Sequence, residues 1–229
     1  MPTVAPYGSW YSPIDAATVA SAGRRLAAPA IADDGAVWWA EGRPSEGGRV
    51  VLMRRAPGGE PEAVTPEGVN VRTRVHEYGG GSWCVAGPDL VLFVDFADQR
   101  LYRQRLGEAP VAISPEPPSA GAFHYADMRL APDGETVVCV RESHREGEGE
   151  GEAVNEIVSL SLDGEGEPQV LASGRDFYSF PRISPDGAWL AWTCWDHPNM
   201  PWDGTELWVA PLADSGEERL VAGGPEESV

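Results

Sequence analysis

The chain has 229 residues, enough for one large domain or two small ones with a sizeable core. Asp and Glu number 36 against 17 Lys plus Arg, a formal net charge of −19. That balance argues against a nucleic-acid role, because phosphate binding needs a basic face that releases counterions; it suits a highly soluble surface, or a cationic partner such as a substrate amine.

Residues 1–26 read as a lead-in segment. They carry no basic stretch followed by an apolar one, as a signal peptide would, and no run in the chain approaches the length of a bilayer span, so no membrane partner is expected. Cys84, Cys139 and Cys194 lie far apart in apolar runs without a CxxC, and read as buried free thiols. An odd thiol count agrees with a reducing compartment, and a cytoplasmic protein is expected. Ile14 to Leu26, with Pro13 at its start and no glycine before Gly23, is Ala-rich enough for a helical turn or two. The chain's 27 Gly and 21 Pro otherwise leave room only for short apolar runs between turns.

From Ala27 to Val229 one pattern recurs. The turns Asp33-Asp34-Gly35, Gly87-Pro88-Asp89, Pro132-Asp133-Gly134 and Pro185-Asp186-Gly187 follow one another at about 50 residues, a propeller-like repeat. Each leads into a β-prone run that is apolar at successive positions: Val37 to Trp39, Leu90 to Val94, Thr136 to Val140 and Trp189 to Trp192. Such runs suit strands sandwiched between neighbouring sheets. Third strands of mixed polarity follow at Val50 to Met53, Arg100 to Arg103, Glu156 to Leu160 and Glu206 to Val209. Short fourth strands end on small or breaking residues at Ala63 to Pro66, Ala112 to Pro115, Val170 to Ser173 and Leu220 to Gly223, as outermost edges should. The pattern predicts an all-β fold, a partial β-propeller of about four blades, each of four antiparallel strands; a β-sandwich, the structural rival, has no common internal template.

Two strings go further. DFYSFPRISPDGAWLAWTCWDHPNMPWDGTELWVAPL, Asp176 to Leu212, closely resembles a propeller blade of the prolyl oligopeptidase family, in its dipeptidyl aminopeptidase and acylaminoacyl peptidase branch. NVRTRVHEYGGGSWCV, Asn70 to Val85, resembles the corresponding element two blades earlier, and the YGSWYSPI opening and blade order also fit. The resemblance implies a seven- or eight-bladed propeller followed by an α/β-hydrolase domain carrying a Ser, Asp, His triad, with the propeller filtering short peptides by size and lining the chamber. The implied partners are that hydrolase domain and short peptide substrates. The sequence stops at Val229 after about four blades, so the family's activity is expected of a longer parent.

The residues themselves offer little catalytic chemistry. No serine lies in GxSxG, the tight strand-to-helix turn of a nucleophile elbow; Gly80-Gly81-Ser82-Trp83-Cys84 comes nearest, with bulky residues where the turn must be compact. His76-Glu77 lacks the second histidine of a zinc helix, and Gly79 to Gly81 would break any helix there, so no metal and no cofactor are expected. The Gly147-Glu148-Gly149-Glu150-Gly151 tract would repel a phosphate and reads as a solvated loop of the third blade.

Two clusters remain as substrate-chamber or interdomain candidates. Arg72, Arg74, His76, Glu77 and Tyr78 precede three glycines that allow close backbone approach. Either they shape the chamber, with Arg available to a peptide carboxylate or carbonyl, or Arg and Glu pair to lock blade packing. Trp195, Asp196, His197, Trp202 and Asp203 belong to a proline-rich string read as a rigid loop, packed on its own blade or against a hydrolase domain and substrate. Two functions are open: the lid portion of a serine peptidase, or a stand-alone propeller that binds a protein partner. An unclosed array leaves two apolar blade faces wet, so the isolated chain is expected to be marginally stable or to self-associate.

Overall fold

The computed structural model describes residues 4–21, 23–144, 152–212 and 217–229, and its Asp-Gly turns set the architecture. Gly35, Gly134 and Gly187 have φ of +78°, +75° and +72°, left-handed values that only a residue without Cβ adopts freely. Their N–H groups donate to Ala32 O at 2.8 Å, Ala131 O at 3.0 Å and Ser184 O at 2.9 Å. The Asp before each glycine secures the turn through its carboxylate: Asp34 accepts from Ala36 N–H, Asp133 from Glu135 N–H and Asp186 from Ala188 N–H. Each turn reverses the chain, and four antiparallel meanders result.

The first sheet comprises β1 (Arg25–Ile31), β2 (Val37–Arg43), β3 (Arg49–Arg55) and β4 (Glu62–Ala63). The second comprises β5 (Trp83–Gly87), β6 (Leu90–Val94), β7 (Leu101–Arg105) and β8 (Val111–Ala112). β9 (Phe123–Leu130), β10 (Thr136–Ser143), β11 (Val154–Ser161) and β12 (Gln169–Ala172) form the third. β13 (Phe177–Ile183), β14 (Trp189–Trp195), β15 (Glu206–Pro211) and β16 (Arg219–Gly223) form the fourth. This is the four-bladed portion of a β-propeller that the sequence predicts. The first blade starts at Arg25, two residues before the expected boundary, and a short helix α1 covers Ala16–Ser21. The Gly147–Gly151 tract lies outside the described residues.

Packing follows chain order. Trp38, Ala40 and Leu52 of the first sheet meet Val91 and Phe93 of the second. Leu92, Val94 and Leu101 meet Tyr125, Val137 and Cys139 of the third. Val138, Val140 and Ile157 meet Tyr178, Leu190, Trp192 and Cys194 of the fourth. β6 and nearly all of β10 are buried on both faces. β2 and β14 are not: Val37 and Trp189 are exposed on the outer faces of the terminal sheets. Cys139 and Cys194 are buried free thiols, and Cys84 is half-buried.

Register shifts interrupt the innermost pairing of all four sheets, between Ala27 and Ala30, Val85 and Gly87, Val138 and Val140, and Ser179 and Arg182. At three of these bulges a non-glycine residue takes positive φ: Ala28 at +48°, Asp127 at +56° and Phe180 at +51°. A bulge bends a strand and adds local twist, which suits strands that crowd together at an axis.

Candidate functional site

The connection from β4 to β5, residues 64–82, is a long irregular segment that crosses towards the far sheets. Val75 sits in the cluster that joins the third and fourth sheets. His76 and Glu77 take φ of +55° and +64°, and the turn closes through Glu77 N–H to Arg74 O and Gly79 N–H to Val75 O, both at 2.8 Å. Glycine is required behind it. A Cβ on Gly81 would stand 2.5 Å from Asp127 Oδ1, and one on Gly80 would stand 3.0 Å from the Ala126 Cβ. The glycine run thus lets this segment lie against β9.

That crossing brings the two candidate strings together. The His76 ring meets Phe177 edge-on at 5.3 Å and Trp195 at 5.4 Å, and Phe177 stacks on Trp195 at 5.2 Å with 15° between planes. His197 closes the group at 4.9 Å from Phe177. These side chains, with Glu77, Tyr78, Glu142, His144, Glu152, Asn155 and Asp176 among others, line a cavity of about 460 Å³. It opens on the propeller face that carries the β2–β3-type connections. Among the described residues four carboxylates and no Arg line it, so a cation is the charge they complement.

The polar groups are held in place. Glu142 Oε2 accepts the His76 backbone N–H at 2.7 Å, while Oε1 meets His124 Nδ1 at 3.0 Å and His144 Nε2 at 2.6 Å. Burial works to raise Glu142, but the His124 ring, the His76 N–H and the His144 ring outweigh it and hold the carboxyl below its ordinary range. Burial lowers His76 against the pull of Glu142, favouring the neutral ring. Asp176 Oδ2 accepts the His197 N–H at 2.8 Å and contacts its Nδ1 at 2.9 Å; the N–H bond, against desolvation and aided by the ring, keeps Asp176 low. Behind this wall Arg175 bridges Glu206 at 2.7 Å and Asp196 at 2.8 Å.

The other candidates lie elsewhere. Arg72 and Arg74 stack on Phe96 at 4.6 Å and 4.4 Å, so the Arg–Glu pairing considered for this cluster gives way to an aromatic partner. Trp195 is the last residue of β14 rather than part of a loop, and is 4% exposed. Trp202 points outwards, 70% exposed, and Asp203 caps the local turn by accepting the Met200 N–H at 3.1 Å. Asp196 faces Arg175, not the cavity. Sequence reading missed His124, Glu142, His144, Asp176 and Phe177. Alternation on β10 would place Glu142 and residue 144 on one side, but His124 joins them only through the β9–β10 register, in which it faces Glu142.

Four meandering sheets with a loop-built cavity on one face define a portion of a β-propeller that fits a peptidase of the prolyl oligopeptidase family. More narrowly, the chain is similar to puromycin-hydrolyzing peptidases. A Mycobacterium tuberculosis puromycin-hydrolyzing peptidase superposes with a TM-score of 0.86 at 40% identity, covering 98% of this chain and 36% of that one. Puromycin hydrolase gives 0.84 at 38% identity, over 98% of this chain and 36% of its own, and a mutant of it has been solved complexed with PGG. A prolyl endopeptidase, at 15% identity with a TM-score of 0.61 over 89% of this chain and 30% of its own, shows the fold alone. The chain therefore spans 36% of the length of its puromycin-hydrolysing relatives, in their propeller part. No family model matches the chain, and no curated protein matches it.

Proposed function

We propose that these blades form the substrate-chamber part of a cytoplasmic serine peptidase acting on short peptides, in which a C-terminal α/β-hydrolase domain supplies the nucleophile. The carrying observation is the cavity at which the His76 and Trp195 strings converge, rimmed by carboxylates and floored by aromatic rings. A peptide amino group is cationic and its first side chain often apolar, and the cavity offers both complements. The kinship with puromycin-hydrolysing peptidases supports this reading over a stand-alone binding scaffold. No helix among the described residues is long and apolar enough to cross a membrane. The outer faces of the first and fourth sheets, carrying Val37 and Trp189, are where further blades would pack, or a second copy of an isolated four-blade chain.

Glu77 and Tyr78 are exposed, so changing them spares the core. In the full-length protein, Glu77→Gln is expected to raise KM about tenfold for a peptide with a free amino terminus, with kcat little changed, as for loss of a ground-state contact. The N-acylated peptide should show no such rise. An equal change for both peptides, or none for either, would remove Glu77 from substrate binding and count against the cavity as the peptide site.

A further inference from the structure

A second arrangement lies in the wall of the same cavity and shares Glu142 and His144 with its lining. His124, Glu142 and His144 each present one ligand atom, all within 4.8 Å of one another. Their side chains differ in access: His124 and Glu142 are buried, whereas the His144 side chain is 40% exposed. The backbone fixes the set. His124 and Glu142 are directly opposed in the β9–β10 ladder, and His144, one residue beyond β10, turns its ring back to Glu142 Oε1. The His76 N–H occupies Glu142 Oε2 and leaves Oε1 turned towards both imidazoles.

We infer that His124, Glu142 and His144 bind a divalent first-row transition ion, zinc by its donor set, with the remaining coordination position open to the cavity. Two imidazole nitrogens and one carboxylate oxygen are a three-ligand set that zinc takes when it keeps a position for water or a ligand. Ligand atoms around a tetrahedral zinc lie about 3.3 Å apart for bonds of about 2.0–2.1 Å. The Glu142 oxygen is already 3.0 Å and 2.6 Å from the two ring nitrogens, so those two pairs need spread by less than about 1 Å, while the ring nitrogens, within 4.8 Å of each other, close by at most about 1.5 Å. The ring protons now shared with Glu142 must leave the facing nitrogens. Each imidazole does this by moving its proton to its other nitrogen, so both rings stay neutral and Glu142 stays anionic. The His76 N–H on Oε2 is then the outer contact that orients the carboxylate. The site shares Glu142 and His144 with the cavity of the peptide reading, but its test reads ion binding and needs no hydrolase activity.

The test is zinc chloride titration of the chelator-treated full-length protein, followed calorimetrically, with metal content measured after dialysis. One zinc per chain is expected. His144→Ala, at the accessible ligand, should retain the wild-type melting temperature yet bind zinc at least tenfold more weakly. His197→Ala, which removes the cavity's other imidazole–carboxylate pair, should bind zinc as the wild type does. Cobalt(II) should give the visible absorption of a four-coordinate site in wild type and His197→Ala but not in His144→Ala. Absence of zinc binding by the wild type, or undiminished binding by a folded His144→Ala variant, would overturn the inference and leave the three residues as a hydrogen-bonded clasp between β9 and β10.

Discussion

Trp192→Ala is expected to destabilise the protein by about 3–5 kcal/mol, whereas Trp202→Ala should change stability by less than about 0.5 kcal/mol. The two tryptophans lie ten positions apart in one family-like string but in opposite environments: Trp192 is 2% exposed and Trp202 70%. Trp192 belongs to the cluster in which Val138, Val140 and Ile157 of the third sheet meet the fourth. Truncation removes the transfer energy of an indole and leaves a cavity that two hydrogen-bonded sheets cannot collapse to fill. Trp202 has no such surroundings to lose. Calorimetric melting of the two variants checks this. A drop of about 10 °C is expected for Trp192→Ala and almost none for Trp202→Ala, at the 2–4 °C per kcal/mol usual for about 150–250 residues. Similar shifts for both would contradict the packing described.

Asp127→Ala should cost about 3 kcal/mol, a large effect for one small polar side chain. Asp127 joins three blades from a buried position on β9: Oδ1 accepts the Gly81 N–H at 2.7 Å and Oδ2 the Phe180 N–H at 3.2 Å, while its own N–H donates to Gly81 O at 2.7 Å. Hydrogen bonds to a charged acceptor contribute more than neutral ones, and alanine also tolerates the +56° φ less well than aspartate. Asn keeps an acceptor oxygen and the left-handed tolerance, so Asp127→Asn should fall between the two. Gly81→Ala should likewise be severe, because its Cβ would meet Asp127 Oδ1 at 2.5 Å. In an Asp127→Ala background that clash is gone, so the double variant should be clearly more stable than the two single effects added. Denaturant midpoints of the four proteins measure the coupling; simple additivity would mean that Gly81 and Asp127 do not touch.

The sequence carried the fold unevenly, and the reasons are physical. Turn chemistry is local, so Asp34-Gly35, Asp133-Gly134 and Asp186-Gly187 announce their positions, and β6 and β10 announce burial on both faces through unbroken apolar runs. The strands β9 and β13 were harder to see. They face the axis, and their bulges at Asp127 and Phe180 break the two-residue alternation by which a strand is recognised. The same uneven visibility holds at the site. His76 and Trp195 stand in distinctive strings, but nothing local says that they meet at 5.4 Å, since the meeting depends on residues 64–82 crossing to the third and fourth sheets. Arg72 and Arg74 stand out in sequence as cations ahead of three glycines, but nothing local says that Phe96, 24 and 22 positions further on, stacks with both. His124, Glu142 and His144 are ordinary residues in sequence. Only the ladder register assembles them.

If these blades form the chamber of a peptidase that admits short peptides, turnover should depend on substrate size. The most direct measurement is kcat/KM of the full-length protein over a series of peptides of increasing length, with a folded protein as the last member. Cleavage of the short peptides, a steep fall with length and no cleavage of the folded protein is the predicted result. Absence of peptide hydrolysis, or a rate constant that does not depend on substrate size, would contradict it.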